Sequence, residues 1–293
     1  MYSAIAANKR KTWLIMAVFV LIIGALGWVA SAAYGNNSPF FLYLALIIGG
    51  VYALIQYFAA AKLALAMNGA KEVTKKEAPR LYRTVENLSI ATGMPMPKVY
   101  VIDDPAPNAF ATGRDPNHAV VAATTGLIDI MDNQELEAVM AHELGHVKNY
   151  DIRVMMIVFG LVSAIGFIAD MLLHMMWFRD DRESNGNPIF LVLAIVAAIL
   201  APFIAMLVQL AVSRRREYLA DSTGALTTRY PEGLARALEK IRDHGSALQK
   251  QNTATAHFFF ANPLKGNSIS KLFSTHPPVE ERIARLRNMD THL

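Results

Sequence analysis

Apolar residues are concentrated in four long segments of the chain, and polar stretches separate them. Each segment holds few or no charges and is long enough for a transmembrane helix, which needs about 20 apolar residues. Clustered charges bound two of the segments, which argues against the alternative of four buried core helices. The pattern therefore predicts four membrane spans, at Thr12–Tyr34, Pro39–Ala61, Val154–Phe178 and Pro188–Ser213.

The first segment has a second interpretation, as a cleaved signal peptide. Ala30-Ser31-Ala32 resembles the small-residue site at which such peptides are cut. The apolar run is long for that role, however, and a second apolar segment follows almost at once. The pattern favours a retained membrane span.

Two polar blocks remain when the spans are removed, Lys62–Arg153 and Arg214–Leu293. Together they are large enough for one domain with its own core. A membrane hairpin would then interrupt this domain, and two further spans would precede it. The predicted parts are residues 1–61 with two spans, 62–153 with the first half of the domain, 154–213 with the hairpin, and 214–293 with the second half.

The polar blocks carry patterns of both helices and strands. A helix is predicted at Glu77–Leu88, with Pro79 in its first turn, where a missing N–H does no harm. Two more helices are predicted in the second block. The stretch His257–Phe260 could contact lipid or substrate, but packing in a core is the favoured interpretation. These later helices cover Glu232–His244 and Pro278–Met289, and the strand-like runs cover Lys98–Ile102, Asn108–Thr112 and Ala119–Ala123. The pattern predicts an α+β domain with a small sheet.

Composition agrees with a membrane protein. Of the 293 residues, 54% are hydrophobic and 18% are charged, and the mean hydropathy is +0.28, which is too apolar for an ordinary soluble domain. The net charge of +4 suits a domain on anionic lipid. Nucleic-acid binding is not indicated, because the basic residues cluster at span ends and no recognition motif accompanies them. The chain has no cysteine, which excludes disulfides and thiolate metal ligands.

The basic residues also predict an orientation, because lysine and arginine are enriched on the cytoplasmic side of membrane proteins. Lys9-Arg10-Lys11 precedes the first span, and Arg214-Arg215-Arg216 follows the last. The turn at residues 35–38 carries no charge. Both termini and both polar blocks are therefore expected in the cytoplasm.

The strongest chemical signal is the sequence His-Glu-Leu-Gly-His at His142–His146. Two histidines four residues apart lie on one side of a helix and can bind a zinc ion, and the glutamate between them can act as a general base. On a helix from Asn133 to Tyr150, Glu143 falls in the middle of the apolar stripe. A carboxylate on the buried side is costly unless it has a use there, so a metal site is preferred over an ordinary surface helix. The stripe consists of Leu136, Val139, Met140, Leu144 and Val147.

A catalytic zinc usually takes three protein ligands and leaves one position for water. Glu217 and Asp221 lie four residues apart, directly after the fourth span. Glu217 is 71 residues from His146, but the hairpin at 152–213 accounts for 62 of these and leaves nine. Spacing alone does not decide which carboxylate binds metal and which supports a histidine.

Two other interpretations of the acidic residues remain at this point. Glu217 and Asp221 could pair with the neighbouring arginines at the bilayer surface. Asp170 and His174, in the third predicted span, are a competing pair of ionisable residues inside the membrane. No third donor is evident near that pair, which favours an interfacial role for it.

These features together resemble the HtpX family of membrane-bound zinc metallopeptidases, which is related to the CAAX prenyl endopeptidases. The resemblance covers nearly the whole chain. It rests on two N-terminal spans, the motif at His142–His146, the hairpin, Glu217 with Asp221, and Ser274-Thr275-His276-Pro277-Pro278. It implies an α-helical membrane protein with four transmembrane helices and a cytoplasmic, zincin-like protease domain.

The resemblance also implies roles for individual residues. It implies one zinc ion per chain, bound by His142, His146 and Glu217, with Glu143 as the catalytic base. Asp221 would accept a hydrogen bond from a ligand histidine, and His276 would stabilise the transition state. Asn108-Ala109-Phe110 looks like the edge strand that pairs with the substrate backbone in such enzymes, although a buried strand without that role is the alternative.

The function implied is the cleavage of membrane proteins or unfolded polypeptides during envelope stress, at the bacterial inner membrane. An intramembrane-cleaving protease also uses the five-residue motif, but here the motif helix is too polar to cross lipid. A zinc-stabilised membrane scaffold or chaperone without catalysis is the alternative from another class. Glu143 argues against it, because a structural zinc site is normally closed by four ligands and needs no inward carboxylate.

Overall fold

A four-stranded sheet with helices on both faces forms the centre of the molecule. The structure is a computed structural model that describes residues 2–34, 38–161, 214–244, 248–249, 259–260 and 277–290. The strands are β1 (Ala70–Glu72), β2 (Lys98–Ile102), β3 (Ala109–Gly113) and β4 (Ala119–Thr124). The helices are α1 (Tyr2–Tyr34), α2 (Phe40–Met67), α3 (Pro79–Thr92), α4 (Thr125–Ile130), α5 (Asn133–Lys148), α6 (151–161), α7 (Arg214–Thr228), α8 (Pro231–His244) and α9 (Val279–Asp290).

The sheet has the strand order β1-β2-β4-β3. Strands β2 and β4 are parallel, and the two outer pairs are antiparallel. The register of the last pair places Ala111 opposite Val121. Strand β3 therefore forms one edge of the sheet, and its outer side faces away from β4.

Both faces of the sheet are buried, against different sets of helices. Val99 and Val121 pack into a core with α3, α5, α7, α8 and α9. Phe110 and Val120 pack into a second core with α1, α2 and α6. Every residue of β3 and β4 is buried. Because both faces of these strands are covered, their sequences are mainly continuous apolar runs instead of alternating ones.

The predicted elements of the polar blocks correspond closely to those of the structure. Strand β2 has the predicted bounds, β3 begins one residue later than predicted, and β4 ends one residue later. Helix α3 begins at Pro79, two residues later than expected, and ends at Thr92. Sequence reasoning missed the short strand β1 and helix α4, which are only three and six residues long.

The structure describes the first two of the four predicted spans. Helix α1 includes the whole of the first span and packs against α2. Within the described residues, Leu42–Met67 is the one helix long and apolar enough to cross a membrane, and little of it is buried. Residues 162–213, with the rest of the hairpin, lie outside the described part of the chain. The four spans therefore stay a prediction.

Helix α5, which carries the histidine motif, begins with a reciprocal cap. The Asp132 side chain accepts a hydrogen bond from the N–H of Glu135 at 2.9 Å, and the Glu135 carboxylate accepts one from the N–H of Asp132 at 2.8 Å. Such a capping box satisfies two N–H groups that otherwise lack partners at a helix start. Lys240 on α8 also reaches Glu135, at 2.6 Å, so the start of α5 is held to the second half of the domain.

Helices α5 and α7 pack closely because glycines lie at their crossing. A Cβ atom at Gly224 of α7 would lie 3.0 Å from the backbone nitrogen of His142. A Cβ atom at Gly145 of α5 would lie 3.5 Å from the Cα atom of Ala220. The close backbone approach expected at Gly145 is thus present, and it brings α7 against the motif helix.

We expect Gly224→Val to destabilise the protein by about 1–3 kcal/mol, because overpacking at the backbone of α5 forces the two helices apart. The matched control is Gly50→Val on α2, where an added Cβ atom meets nothing within 4 Å. Thermal unfolding of the purified full chain measures the difference. Equal melting temperatures for the two variants would show that α7 is free to shift.

Candidate metal centre and active site

Three potential metal ligands from two helices meet beneath the sheet. His142 and His146 lie one turn apart on α5, and Glu217 lies in the first turn of α7. All three side chains are buried, and one ligand atom from each lies within 4.8 Å of the others. The structure therefore brings together the three residues that sequence and resemblance assigned to the metal.

The distances suit a tetrahedral ion. The two Nε2 atoms of His142 and His146 are 3.1 Å apart, and zinc–nitrogen bonds of ordinary length would place them about 3.3 Å apart. Glu217 Oε2 lies 3.8 Å from the His142 Nε2 atom, and Glu217 Oε1 lies 3.7 Å from the His146 Nε2 atom. The carboxylate thus faces both nitrogens, as a third ligand would.

The other nitrogen of each histidine lies close to a buried carboxylate. His142 Nδ1 is 2.9 Å from Asp221 Oδ1, although the ring N–H is not well aligned with that oxygen. His146 Nδ1 is 3.1 Å from Asp151 Oδ2. Carboxylates in this position fix the ring orientation of ligand histidines and make the Nε2 atom a better donor.

These contacts separate the two acidic residues of α7. Glu217 lies on the Nε2 side of the histidines, whereas Asp221 lies on the Nδ1 side of His142. The geometry therefore favours Glu217 as the direct ligand and Asp221 as the carboxylate that supports His142. The alternative of surface pairing with arginines does not describe Asp221, which is buried and contacts Arg282 on α9.

Arg282 is a functional candidate that sequence reasoning missed. Its guanidinium donates to both oxygens of Asp221, at 2.7 and 2.9 Å, and only 1% of the residue is exposed. It also lies over the ring of Phe260, which packs edge-on against His142. A buried carboxylate requires such a partner. The signal in the sequence was an arginine in the otherwise apolar face of the last helix.

Asp151 was also missed as a site residue, although it is only five residues from His146. Helix α5 ends at Lys148, and Tyr150 has a positive φ of 61°. This turn redirects the chain so that Asp151, at the start of α6, points back towards His146. A positive φ at a tyrosine is uncommon and cannot be predicted from composition.

The electrostatics of the two histidines differ. Burial lowers the pKa of His142 to about 4, despite the nearby Asp221, so this ring is neutral at pH 7. Burial opposes the charged form of His146 too, but the Glu217 and Asp151 carboxylates outweigh it and raise its pKa to about 9. Burial also disfavours the ionised form of Asp221, yet Arg282 holds the pKa of that carboxyl well below its usual range.

Glu143 lies beside the three ligands. Burial raises its pKa to about 7, Glu217 adds to this effect, and His146 opposes it. The backbone N–H of Ala111 on β3 faces this carboxylate and favours its ionised form. A carboxyl group with a pKa near the working pH can both accept and return a proton.

The edge strand β3 lies next to Glu143, and the chain itself covers part of it. The N–H of Phe260 donates to the carbonyl of Ala109 at 2.8 Å, and Phe259 forms a bridge with Phe110. Asn108 is tied to β4, because its carbonyl accepts from the N–H of Thr124. Ala109 and, by alternation, Ala111 direct their backbone groups outwards. The role of this strand in binding substrate stays a prediction.

The remaining predicted site residues lie outside the described part of the chain. His276 is three residues before α9 begins, and Asp170 and His174 lie within the hairpin. Their assignments, including the interfacial role of the latter two, stay predictions.

Comparisons with known sequences reveal close relatives over the full length. The sequence profile described as peptidase family M48 matches residues 75–290. A protein named Protease HtpX homolog from Tropheryma whipplei (strain Twist) is 56% identical over 99% of this chain and 98% of its own length. The homolog of the same name from Streptococcus pneumoniae (strain Hungary19A-6) is 44% identical over 99% of this chain and all of its own length.

A solved structure shares the fold. The crystal structure of Ste24p from S. mikatae is 19% identical to this chain, with a TM-score of 0.52. The match covers 98% of this chain and 67% of that one. At this identity the likeness concerns the fold alone.

We expect Glu217→Gln to weaken metal binding more than Asp221→Asn does, because only Glu217 faces the Nε2 atoms. Loss of a carboxylate behind a ligand histidine typically costs about 10–100-fold in affinity, and loss of a direct ligand should exceed that. Metal analysis and chelator competition on the full chain measure both variants. The reverse order would identify Asp221 as the ligand.

Proposed function

The chain is a metallopeptidase that belongs to peptidase family M48, in the group of HtpX proteases, and we propose that it is a zinc-dependent endopeptidase that cleaves membrane proteins at the cytoplasmic membrane surface. The observation that carries this proposal is the meeting of His142, His146 and Glu217 with Glu143 beside them. Three ligands and an adjacent carboxyl group suit a catalytic metal site, which keeps a position open.

The donor set favours zinc. Two imidazoles and one carboxylate form a known ligand set of catalytic zinc sites, whereas magnesium and calcium prefer oxygen ligands alone. Bound zinc supplies Lewis-acid chemistry, which polarises a peptide carbonyl and lowers the pKa of water. Two features of the described residues support the fit: the short separation of the Nε2 atoms, and the carboxylates behind both rings.

Glu143 is the proton carrier of the proposed reaction. Its carboxylate takes a proton from the attacking water and returns it to the leaving amine. Burial supports this role, because it raises the pKa of the group to about 7. The backbone N–H of Ala111 faces the carboxylate from the edge strand, so Glu143 lies between that strand and the proposed metal ligands.

Substrate binding is proposed along β3. An extended peptide that pairs with an edge strand places its backbone in a defined register, and Ala111 lies both on this edge and against Glu143. His276, from its match to the family motif, is proposed as the donor that stabilises the oxyanion. Misfolded membrane proteins are the proposed substrates, and quality control during envelope stress is the proposed setting.

Helices α1 and α2 support the proposed position at the membrane. Helix α2 presents a row of exposed apolar side chains along its length, which suits contact with lipid. The basic residues Lys9–Lys11 support a cytoplasmic start for α1, and the adjacent Asn8 contacts Asp151 beside the metal site. These contacts support a site close to the inner surface of the bacterial cytoplasmic membrane. The exposed residues of α2 include Phe40, Ile47, Val51, Leu54 and Phe58.

The scaffold or chaperone alternative is not favoured. The family is one of metallopeptidases, and the buried Glu143 would have no use in a purely structural site. No observation in the described residues points to binding without catalysis.

We expect Glu143→Gln to retain zinc and to lose peptide cleavage by about 10²–10⁴-fold, because the amide cannot carry the proton. Glu137→Gln on the same helix is the matched control and should leave cleavage unchanged. Cleavage of casein and of a purified membrane protein, with and without chelator, measures the effect. Undiminished turnover by Glu143→Gln would refute its role as the base.

The proposed topology can be tested with single cysteines, because the natural chain has none. Ser38, between α1 and α2, and Lys76, before α3, are both exposed. We expect a membrane-impermeant maleimide to label Ser38→Cys in intact spheroplasts and to label Lys76→Cys only after lysis. Labelling of Lys76→Cys in intact spheroplasts would overturn the cytoplasmic placement of the domain.

A further inference from the structure

We propose that Asn8, on the first membrane helix, is a positioning residue of the metal site. It holds Asp151, and Asp151 holds the ligand His146. The inference rests on the proposed zinc site and adds a dependence of that site on helix α1. No feature of the sequence motif involves residue 8, which is 134 residues before His142.

Asn8 uses its side-chain amide to tie down the turn after the motif helix. Its Nδ2 atom donates to Asp151 Oδ1 at 2.7 Å and to the carbonyl of Asn149 at 2.9 Å. Asn8 is only 4% exposed, and Asp151 is 1% exposed. A side-chain amide has two N–H donors, and these two contacts employ both of them.

The two oxygens of Asp151 have different partners. Oδ2 contacts His146 Nδ1 at 3.1 Å, and Oδ1 accepts from Asn8. Arg216 on α7 lies 3.8 Å from Oδ1 through its Nε atom. That distance is longer than a hydrogen bond. Asn8 is therefore the group that sets the direction of the carboxylate, while Arg216 compensates its charge.

A second contact joins α1 to the same turn. The ammonium group of Lys9 lies 4.6 Å from the ring centre of Tyr150, the residue with positive φ between α5 and α6. Two consecutive residues of α1 thus contact residues 149–151. Without Asn8, the carboxylate of Asp151 can turn towards Arg216 and away from His146, which would release the ring of a metal ligand.

The test is a double-mutant cycle on zinc affinity with the detergent-solubilised full chain. Chelator competition gives the zinc Kd of the wild type, Asn8→Leu, Asp151→Ala and the double variant. We expect Asn8→Leu, which is similar in size, to weaken binding about 10-fold, and Asp151→Ala about 10–100-fold, as for groups behind a ligand histidine. The double variant should bind as Asp151→Ala does, because Asn8 acts only through Asp151.

Two further measurements separate positioning from general damage. Arg10→Leu, an exposed site on the same helix, should keep the wild-type Kd. Cobalt-substituted protein should show a changed visible absorption band in Asn8→Leu and an unchanged one in Arg10→Leu. If Asn8→Leu does not purify as a folded protein, Asn8→Ala takes its place in the cycle.

The inference is wrong if Asn8→Leu keeps both the wild-type Kd and the cobalt spectrum. It is also wrong if the losses from Asn8→Leu and Asp151→Ala add in full, because the two residues would then act independently. A wild-type chain that binds no zinc would instead refute the proposed function, so the two failures are distinguishable.

Discussion

Two contacts between imidazole and buried carboxylate govern this site. A histidine side chain alone is free to rotate, and either ring nitrogen can face a metal. Asp221 lies behind His142, and Asp151 lies behind His146, so both Nε2 atoms are directed to the same point. Because the carboxylates themselves are buried, each needs further partners, and those partners extend the site into the rest of the fold.

The hydrogen bonds of these two carboxylates extend to the first and the last helix of the chain. Asp221 is held by Arg282 on the last helix, and Asp151 contacts Asn8 on the first. The motif helix thus lies between two lines of polar contacts, one from α1 and one from α9 at the end of the protease domain. Removing one partner from such a buried set typically costs about 3–5 kcal/mol. Correct metal geometry therefore requires that helices distant in sequence be packed together.

Local patterns in the sequence predicted the elements well, and tertiary contacts explain what was missed. Patterns within single segments were sufficient to predict the histidine motif, strand β2 and helices α8 and α9. Periodicity does not distinguish the roles of Glu217 and Asp221, because both lie on one face of α7. Only the crossing of α7 with α5 places them at different nitrogens of His142. Asp151 depends on the unusual backbone of Tyr150, and Arg282 on a contact across 61 residues of sequence.

The edge strand β3 borders both the metal site and the surface where a substrate peptide is proposed to bind. The backbone N–H of Ala111 faces Glu143, while the neighbouring outward carbonyl, that of Ala109, already accepts a hydrogen bond from Phe260. Phe260 also packs against His142 and beneath Arg282. A peptide that pairs along the whole of this edge must replace the bond at Ala109, and doing so would disturb a ring that contacts a metal ligand. If substrate pairs along this edge as proposed, its binding and the order of the metal site both depend on Phe260. A short peptide that pairs only beyond Ala109 would leave Phe260 in place.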